Sequence, residues 1–167
     1  MKKDVLIYFD IITSLKTTEE INNLSLEIDD LQTSLFKSEK MSLDKAIDAI
    51  SVTTGKKITE VFSKNNLDMN NKELVRDFLE TLKDLIKKFK VIKLVISFDP
   101  TPKTIDNIHG FICENIGIGY ILDIEIDESI LGGAVVIFNG KYNDFSLRKS
   151  LDEVFTNKRE DILQPIQ

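Results

Sequence analysis

The spacing of apolar side chains changes once along this chain, near residue 90, and that change constrains the fold more than any other feature. Before it, apolar residues recur every three or four positions, the period of a helix face; after it they run on or alternate, as strands do. Val5, Tyr8, Phe9, Ile12 and Leu15 form the first helical stripe. Thr17 and Glu20 have capping-box spacing and open a second helix, with Ile21, Leu24, Ile28, Leu31 and Leu35 inward. Ser42 starts a third, with Leu43, Ala46, Ile47 and Ile50 inward; Thr53-Thr54-Gly55 breaks it, and Ile58, Val61 and Phe62 mark a short fourth. The strongest signal follows an Asn70 or Asn71 cap: Leu74, Val75, Phe78, Leu79, Leu82, Leu85, Ile86 and Phe89 make a stripe wide enough for two packing neighbours.

The second half opens on Val91 to Phe98, a nearly continuous apolar run that reads as a strand covered on both faces. Thr101 and Pro102 suit the cap and first turn of a helix lined by Ile105, Ile108, Ile112 and Ile116 and stopped at Gly117. Tyr120 to Ile126 alternates apolar and polar, Ala134 to Phe138 is a further strand, and Asn139-Gly140 is a hairpin turn into Lys141-Tyr142-Asn143. Ser146 caps a last helix with Leu147, Leu151, Val154 and Phe155 inward, and a polar tail follows from Asn157. The predicted fold is α+β. Residues 1–90 form an N-terminal helical bundle, and residues 91–167 a small α/β domain with a mixed sheet, in the order β-α-β-β-β-α, with a short flexible tail.

Composition narrows the chemistry. The net charge is −6 over 167 residues, and residues 91–167, with 7 Lys+Arg and 12 Asp+Glu, carry −5 of it. So acidic a chain does not draw its affinity from nucleic-acid phosphates. No apolar run reaches membrane-spanning length, and Met1-Lys2-Lys3-Asp4 with the short segment after it does not read as a signal peptide. One cysteine, Cys113, and one histidine, His109, exclude an internal disulfide and a His- or Cys-rich metal cluster. His109, one position beyond Ile108, reads as a surface or boundary residue, and Cys113 as a small core hydrophobe. Gly117-x-Gly119 follows a helix and precedes a strand, the reverse of a dinucleotide-binding turn. The carboxylates Asp123, Glu125, Asp127 and Glu128 suit a solvated strand face that discourages edge pairing. A second reading is a small metal-binding enzyme or ligand-binding protein built on Asp123–Glu128. No catalytic, cofactor or metal residues are otherwise identified.

What remains is Asp127-Glu128-Ser129-Ile130-Leu131-Gly132-Gly133 before an apolar strand, then Asp144-Phe145-Ser146-Leu147-Arg148 with Leu151. An acidic turn delivers two glycines where backbone must approach closely, and an Asp-x-Ser cap launches a helix. That is a rigid junction rather than a site for bond-making. This stretch resembles the C-terminal signature of the delta subunit of F-type ATP synthases, the bacterial counterpart of the mitochondrial oligomycin-sensitivity-conferring protein. Asp127, Ser129, Ile130, Leu131, Gly132, Gly133, Asp144, Ser146, Leu147, Arg148 and Leu151 match; Phe145 departs, standing where the family usually has Gly. Arg76-Asp77-Phe78-Leu79 stands where the family has Asn-Phe-Leu in its fifth helix, although the segment before the first strand is shorter than the family's.

The resemblance implies a non-catalytic peripheral-stalk (stator) subunit, with no cofactor, that ties the catalytic head to the b-type stalk and resists rotor torque during ATP synthesis. Its partners would be the alpha-subunit N-terminal helix and the b-type C-terminus, without direct membrane insertion, at the cytoplasmic face of a bacterial membrane. The family's groove for the alpha helix lies between its first and fifth helices, which here offers Tyr8, Phe9, Ile12, Phe78, Leu82 and Leu85. Asp127, Ser129, Gly132, Gly133, Asp144 and Ser146 are its structural signature.

Overall fold

The computed structural model describes residues 5–37 and 43–157. Ser42 as a helix start, the Val5 side chain and the tail beyond Asn157 lie outside them. The chain divides into two compact units, Met1–Lys90 with Ile112–Ile121, and Val91–Phe111 with Leu122–Gln167.

In the first unit a 3₁₀ turn (Val5–Tyr8) leads into α1 (Phe9–Thr13), α2 (Thr18–Lys37), α3 (Leu43–Ile47), α4 (Val52–Lys64) and α5 (Lys72–Ile86). The opening stripe is thus split and short, not one helix from Val5 to Leu15. Ser14 ends it, its N–H and hydroxyl both donating to the Ile11 carbonyl at 3.2 and 2.7 Å. The capping box before α2 forms: Glu20 N–H donates to Thr17 Oγ1 and Thr17 N–H to the Glu20 carboxylate, each at 3.2 Å. Leu24, Ile28, Leu31 and Leu35 are then buried, as their spacing predicts. Thr53-Thr54-Gly55 does not break a helix. Ser51 caps α4, accepting from Thr54 N–H at 3.3 Å, and Gly55 lies inside it. A Cβ at Gly55 would sit 2.7 Å from Ile47 Cγ2. The glycine therefore serves close packing against the end of α3 and ends nothing. Asn71 caps α5, whose Val75, Phe78, Leu79, Leu82 and Ile86 enter the core.

The second half contains β1 (Lys90–Ile96), α6 (Pro102–Asn115), β2 (Tyr120–Ile126), β3 (Ala134–Phe138), β4 (Lys141–Asp144) and α7 (Leu147–Asn157). The sheet order is β2-β1-β3-β4. Lys90 N–H donates to Gly119 O at 2.9 Å, and Asp127 N–H to Ile96 O at 2.8 Å, so β1 and β2 run in the same direction. β1–β3 and β3–β4 are antiparallel, with Lys93 opposite Ile137 and Ile137 opposite Tyr142. The result is the α+β fold with a mixed sheet that the pattern predicts. Asn139 and Gly140 have φ of 50° and 71°, the left-handed pair that a two-residue hairpin turn needs.

Three local readings are corrected. β1 is not covered on both faces: Ile92, Leu94 and Ile96 are buried, but Lys93 and Val95 are half-buried and Val91 is exposed. The Lys93 ammonium inside the run reaches solvent and pairs with Glu125, so its side of the strand stays open. β2 does not alternate cleanly, since Ile121 and Leu122 are both buried while Ile126 is exposed. The stripe of α7 does not point inward: Leu147, Leu151, Val154 and Phe155 are 40–59% exposed.

Candidate interaction surfaces

The signature residues build one knot of backbone. Gly132 and Gly133 have φ of +97° and +82°. A Cβ on Gly133 would lie 2.3 Å from Phe145 O and 2.9 Å from Ser146 Cα, so only glycine lets these two backbones meet. Hydrogen bonds fix the contact, Phe145 N–H to Ala134 O and Leu147 N–H to Gly132 O, both at 2.9 Å. Phe145 is absent from the residues with positive φ, so a side chain is accepted where the family usually has glycine, and the ring lies exposed. Two Asp-x-Ser turns brace the knot in the same way. Asp127 Oδ1 accepts Ser129 N–H at 2.9 Å, and Asp144 Oδ1 accepts Ser146 N–H at 2.8 Å. Ser146 is buried, and its hydroxyl accepts Lys149 N–H in the first turn of α7 at 3.4 Å.

The hydroxyl of Ser129 and then its N–H hold the Asp127 carboxyl below the ordinary Asp range; Ser146 does the same for Asp144, with Lys149 adding. A carboxyl depressed on folding stabilises the fold above its unfolded pKa, and that contribution is lost as pH falls through the folded value. Thermal melts should therefore weaken progressively below the ordinary Asp range, and Asp144→Asn should flatten that acid loss. An unchanged acid profile in the variant would show that the turn does not act through its charge.

Beside the knot, the open face of the sheet forms a shallow cavity of about 400 Å³. Lys93, Ile137 and Tyr142 lie across from one another on it, as do Val95, Val135 and Asp144, with Glu125 and Arg148 at its margin. The sequence reading missed this face because it took β1 as two-sided. Lys93 within the run was the available signal.

The groove candidates of the helical unit separate by burial. Tyr8, Phe78 and Leu82 lie in the core, with the Tyr8 and Phe78 rings stacked at 4.8 Å and Phe62 edge-on to Phe78 at 4.9 Å. Burial raises the Tyr8 pKa, partly offset by its hydrogen bond with Thr81. Ile12 and Leu85 are half-buried and Phe9 is 46% exposed. A second cleft, of about 470 Å³, opens in this unit over Ile11, Leu15, Leu24 and Ile58. Lys57 at its wall donates to Ser14 Oγ at 2.9 Å.

His109 is buried, 8% exposed, and not a surface residue. It is four positions after Ile105 and three before Ile112, so it shares their face of α6 as well as Ile108 does. Cys113 is half-buried. Gly117, with φ of +118°, terminates α6 as predicted, its N–H donating to Ile112 O at 3.2 Å. Within the acidic row, Glu125 pairs with Lys93 and Asp127 accepts from Ser129. Among the described residues no group of three or more His, Cys, Asp or Glu side chains is placed to hold a metal ion, and no helix is long and apolar enough to cross a membrane.

No protein-family model matches the chain, and no characterised protein sequence matches it. Chains of solved structures align with it, among them these two. One is a chain from the Polytomella F-ATP synthase in primary rotary state 3, 18% identical, covering 47% of this chain and 100% of that one, with a TM-score of 0.39. The other is from the Toxoplasma gondii mitochondrial ATP synthase hexamer, 19% identical, covering 89% of this chain and 86% of that one, with a TM-score of 0.35. At such scores neither alignment defines a shared fold, and the functional reading stands on the chain's own residues.

Proposed function

We propose that this protein is a non-catalytic module that works by binding other proteins at two places, one in each unit. More particularly, it acts as a delta-type stator subunit of an F-type ATP synthase, holding the catalytic head to the b-type stalk against rotor torque. One observation supports this reading: in the Asp127-to-Leu151 stretch, which resembles the delta family in sequence, the glycines, the aspartates and Ser146 are engaged in backbone contacts and turns. Gly133 admits the backbone of Phe145 and Ser146, Gly132 accepts from Leu147, and Asp127 and Asp144 brace turns. A torque-bearing link requires such rigidity and no tuned acid, base or nucleophile. The exposed Phe9, with half-buried Ile12 and Leu85, would supply apolar anchors for the alpha N-terminal helix. The acidic second half, net −5, suits basic stalk helices.

The test is a calorimetric titration of the full-length chain with a peptide from the C-terminus of the b-type subunit of the same cell. Saturable one-to-one binding that weakens as salt shortens the Debye length below about 10 Å is expected. No binding at any ionic strength would remove the stalk from the proposal.

A further inference from the structure

Two shallow cavities of the sheet-bearing unit join end to end. One is the open face of the sheet, where half-buried Val95 and Ile137 lie with Tyr142, which is 64% exposed. The other, about 440 Å³, runs along α7 and is lined by Arg148, Lys149, Asp152, Glu153 and Thr156. Asp144 and Arg148 line both, so one trough leads from the end of α7 onto the sheet. The helical period sets its α7 wall in two rows, Arg148-Asp152-Thr156 and Lys149-Glu153, on the side away from the Leu147, Leu151, Val154 and Phe155 stripe. Its charges are sorted, acid near the end of α7 and base near the sheet. Little satisfies them: the Lys149–Glu153 pair is loose, at 3.9 Å, and Arg148 and Asp152 form no ion pair among the described residues.

The sequence after α7 carries the complementary order: Lys158-Arg159, then Glu160-Asp161, then Ile162, Leu163 and Ile166. We propose that this segment turns back at Asn157 and lies in the trough antiparallel to α7, as a strap over the open sheet face. An extended residue advances about 3.3 Å and a helical one about 1.5 Å, so each strap residue passes about two of α7. Lys158 and Arg159 then pass Asp152 and Glu153, and Glu160 and Asp161 pass Arg148 and Lys149. From Asn157 back to Arg148, α7 is about 14 Å long, and the chain from Asn157 to Ile162 reaches up to about 17 Å. That delivers Ile162 and Leu163 to the margin of the sheet, where they and Ile166 cover Val95, Ile137 and Tyr142. The apolar contact supplies most of the binding, and the exposed ion pairs set the register. Pro165 disfavours helix at Gln164 and so suits an extended run. The strap goes beyond the stator reading and needs only the sheet-bearing unit, so either can fail without the other.

Hydroxyl-radical footprinting of the full-length protein tests it, read at Tyr142 with half-buried Tyr120 as the internal reference and circular dichroism confirming that each variant is folded. Tyr142 should be oxidised about threefold faster or more in a chain carrying Ile162→Asp and Leu163→Asp than in wild type, with Tyr120 unchanged. Lys158→Glu with Arg159→Glu should raise the Tyr142 rate about twofold, and adding Asp152→Lys with Glu153→Lys should return it close to wild type. Equal Tyr142 rates in wild type and the Ile162, Leu163 variant would overturn the proposal and leave the sheet face open. Protection that fades on dilution would overturn the fold-back and give the trough to the tail of a second copy. Charge reversal without recovery would overturn the path along α7.

Discussion

Gly133→Val should unfold the sheet-bearing unit at temperatures where the wild-type chain stays folded. Its φ of +82° is strained for any side chain, and its Cβ would lie 2.3 Å from the Phe145 carbonyl oxygen, a backbone atom that cannot swing aside. Strain and clash together put the loss at about 3 kcal/mol or more, on the order of 10 °C or more in Tm. Two other glycines calibrate it. Gly132 has φ of +97° but open space around its Cβ position, so Gly132→Ala should cost only the conformational term, about 1–2 kcal/mol. Gly110 lies within α6 at ordinary φ with nothing within 4 Å, so Gly110→Ala should raise stability by about 0.5–1 kcal/mol. Thermal melts of the three variants should rank in that order. A Gly133→Val protein that melts like wild type would mean that the close approach to Phe145 is not what the glycine pair is for.

The second large effect separates core from surface in the helical unit. Leu82 is fully buried in the core, and Leu82→Ala should destabilise by about 2–5 kcal/mol through lost burial and the cavity left behind. Phe9, 46% exposed, should tolerate alanine with a change of about 1 kcal/mol or less. In a titration of the full chain with the alpha-subunit N-terminal peptide, Phe9→Ala should weaken binding with the melting curve nearly intact. If Phe9→Ala unfolds the unit, its ring is a core element and no anchor. If it binds the peptide as well as wild type, the contact lies elsewhere.

The fold class and the order of elements along the chain are legible in the sequence because period, caps and turn residues agree locally. Thr17 with Glu20, Asn71, Thr101 with Pro102, Asn139-Gly140 and Asp144 with Ser146 each mark an element end that the structure has. The failures occur where the same residue type serves two purposes. Gly55 looks like a breaker but is a packing glycine, because a close neighbour from another helix leaves no local trace. His109 and Ile108 are equally good candidates for the inner face of α6, and only tertiary packing chooses between them. The stripe of α7 reads as inward from spacing alone, since an amphipathic helix looks the same whether its own domain or a partner covers it. The signature glycines were legible as a junction. Phe145, whose carbonyl Gly133 accommodates, was not, because the contact depends on how β3 and β4 return the chain.

The most direct measurement is co-sedimentation of the full-length chain with the purified catalytic head of the F-type ATP synthase from the same cell, with and without a peptide of the alpha N-terminus as competitor. The stator account predicts one copy of this chain bound per head, displaced by the peptide. A head that sediments without it at every concentration used would contradict the account.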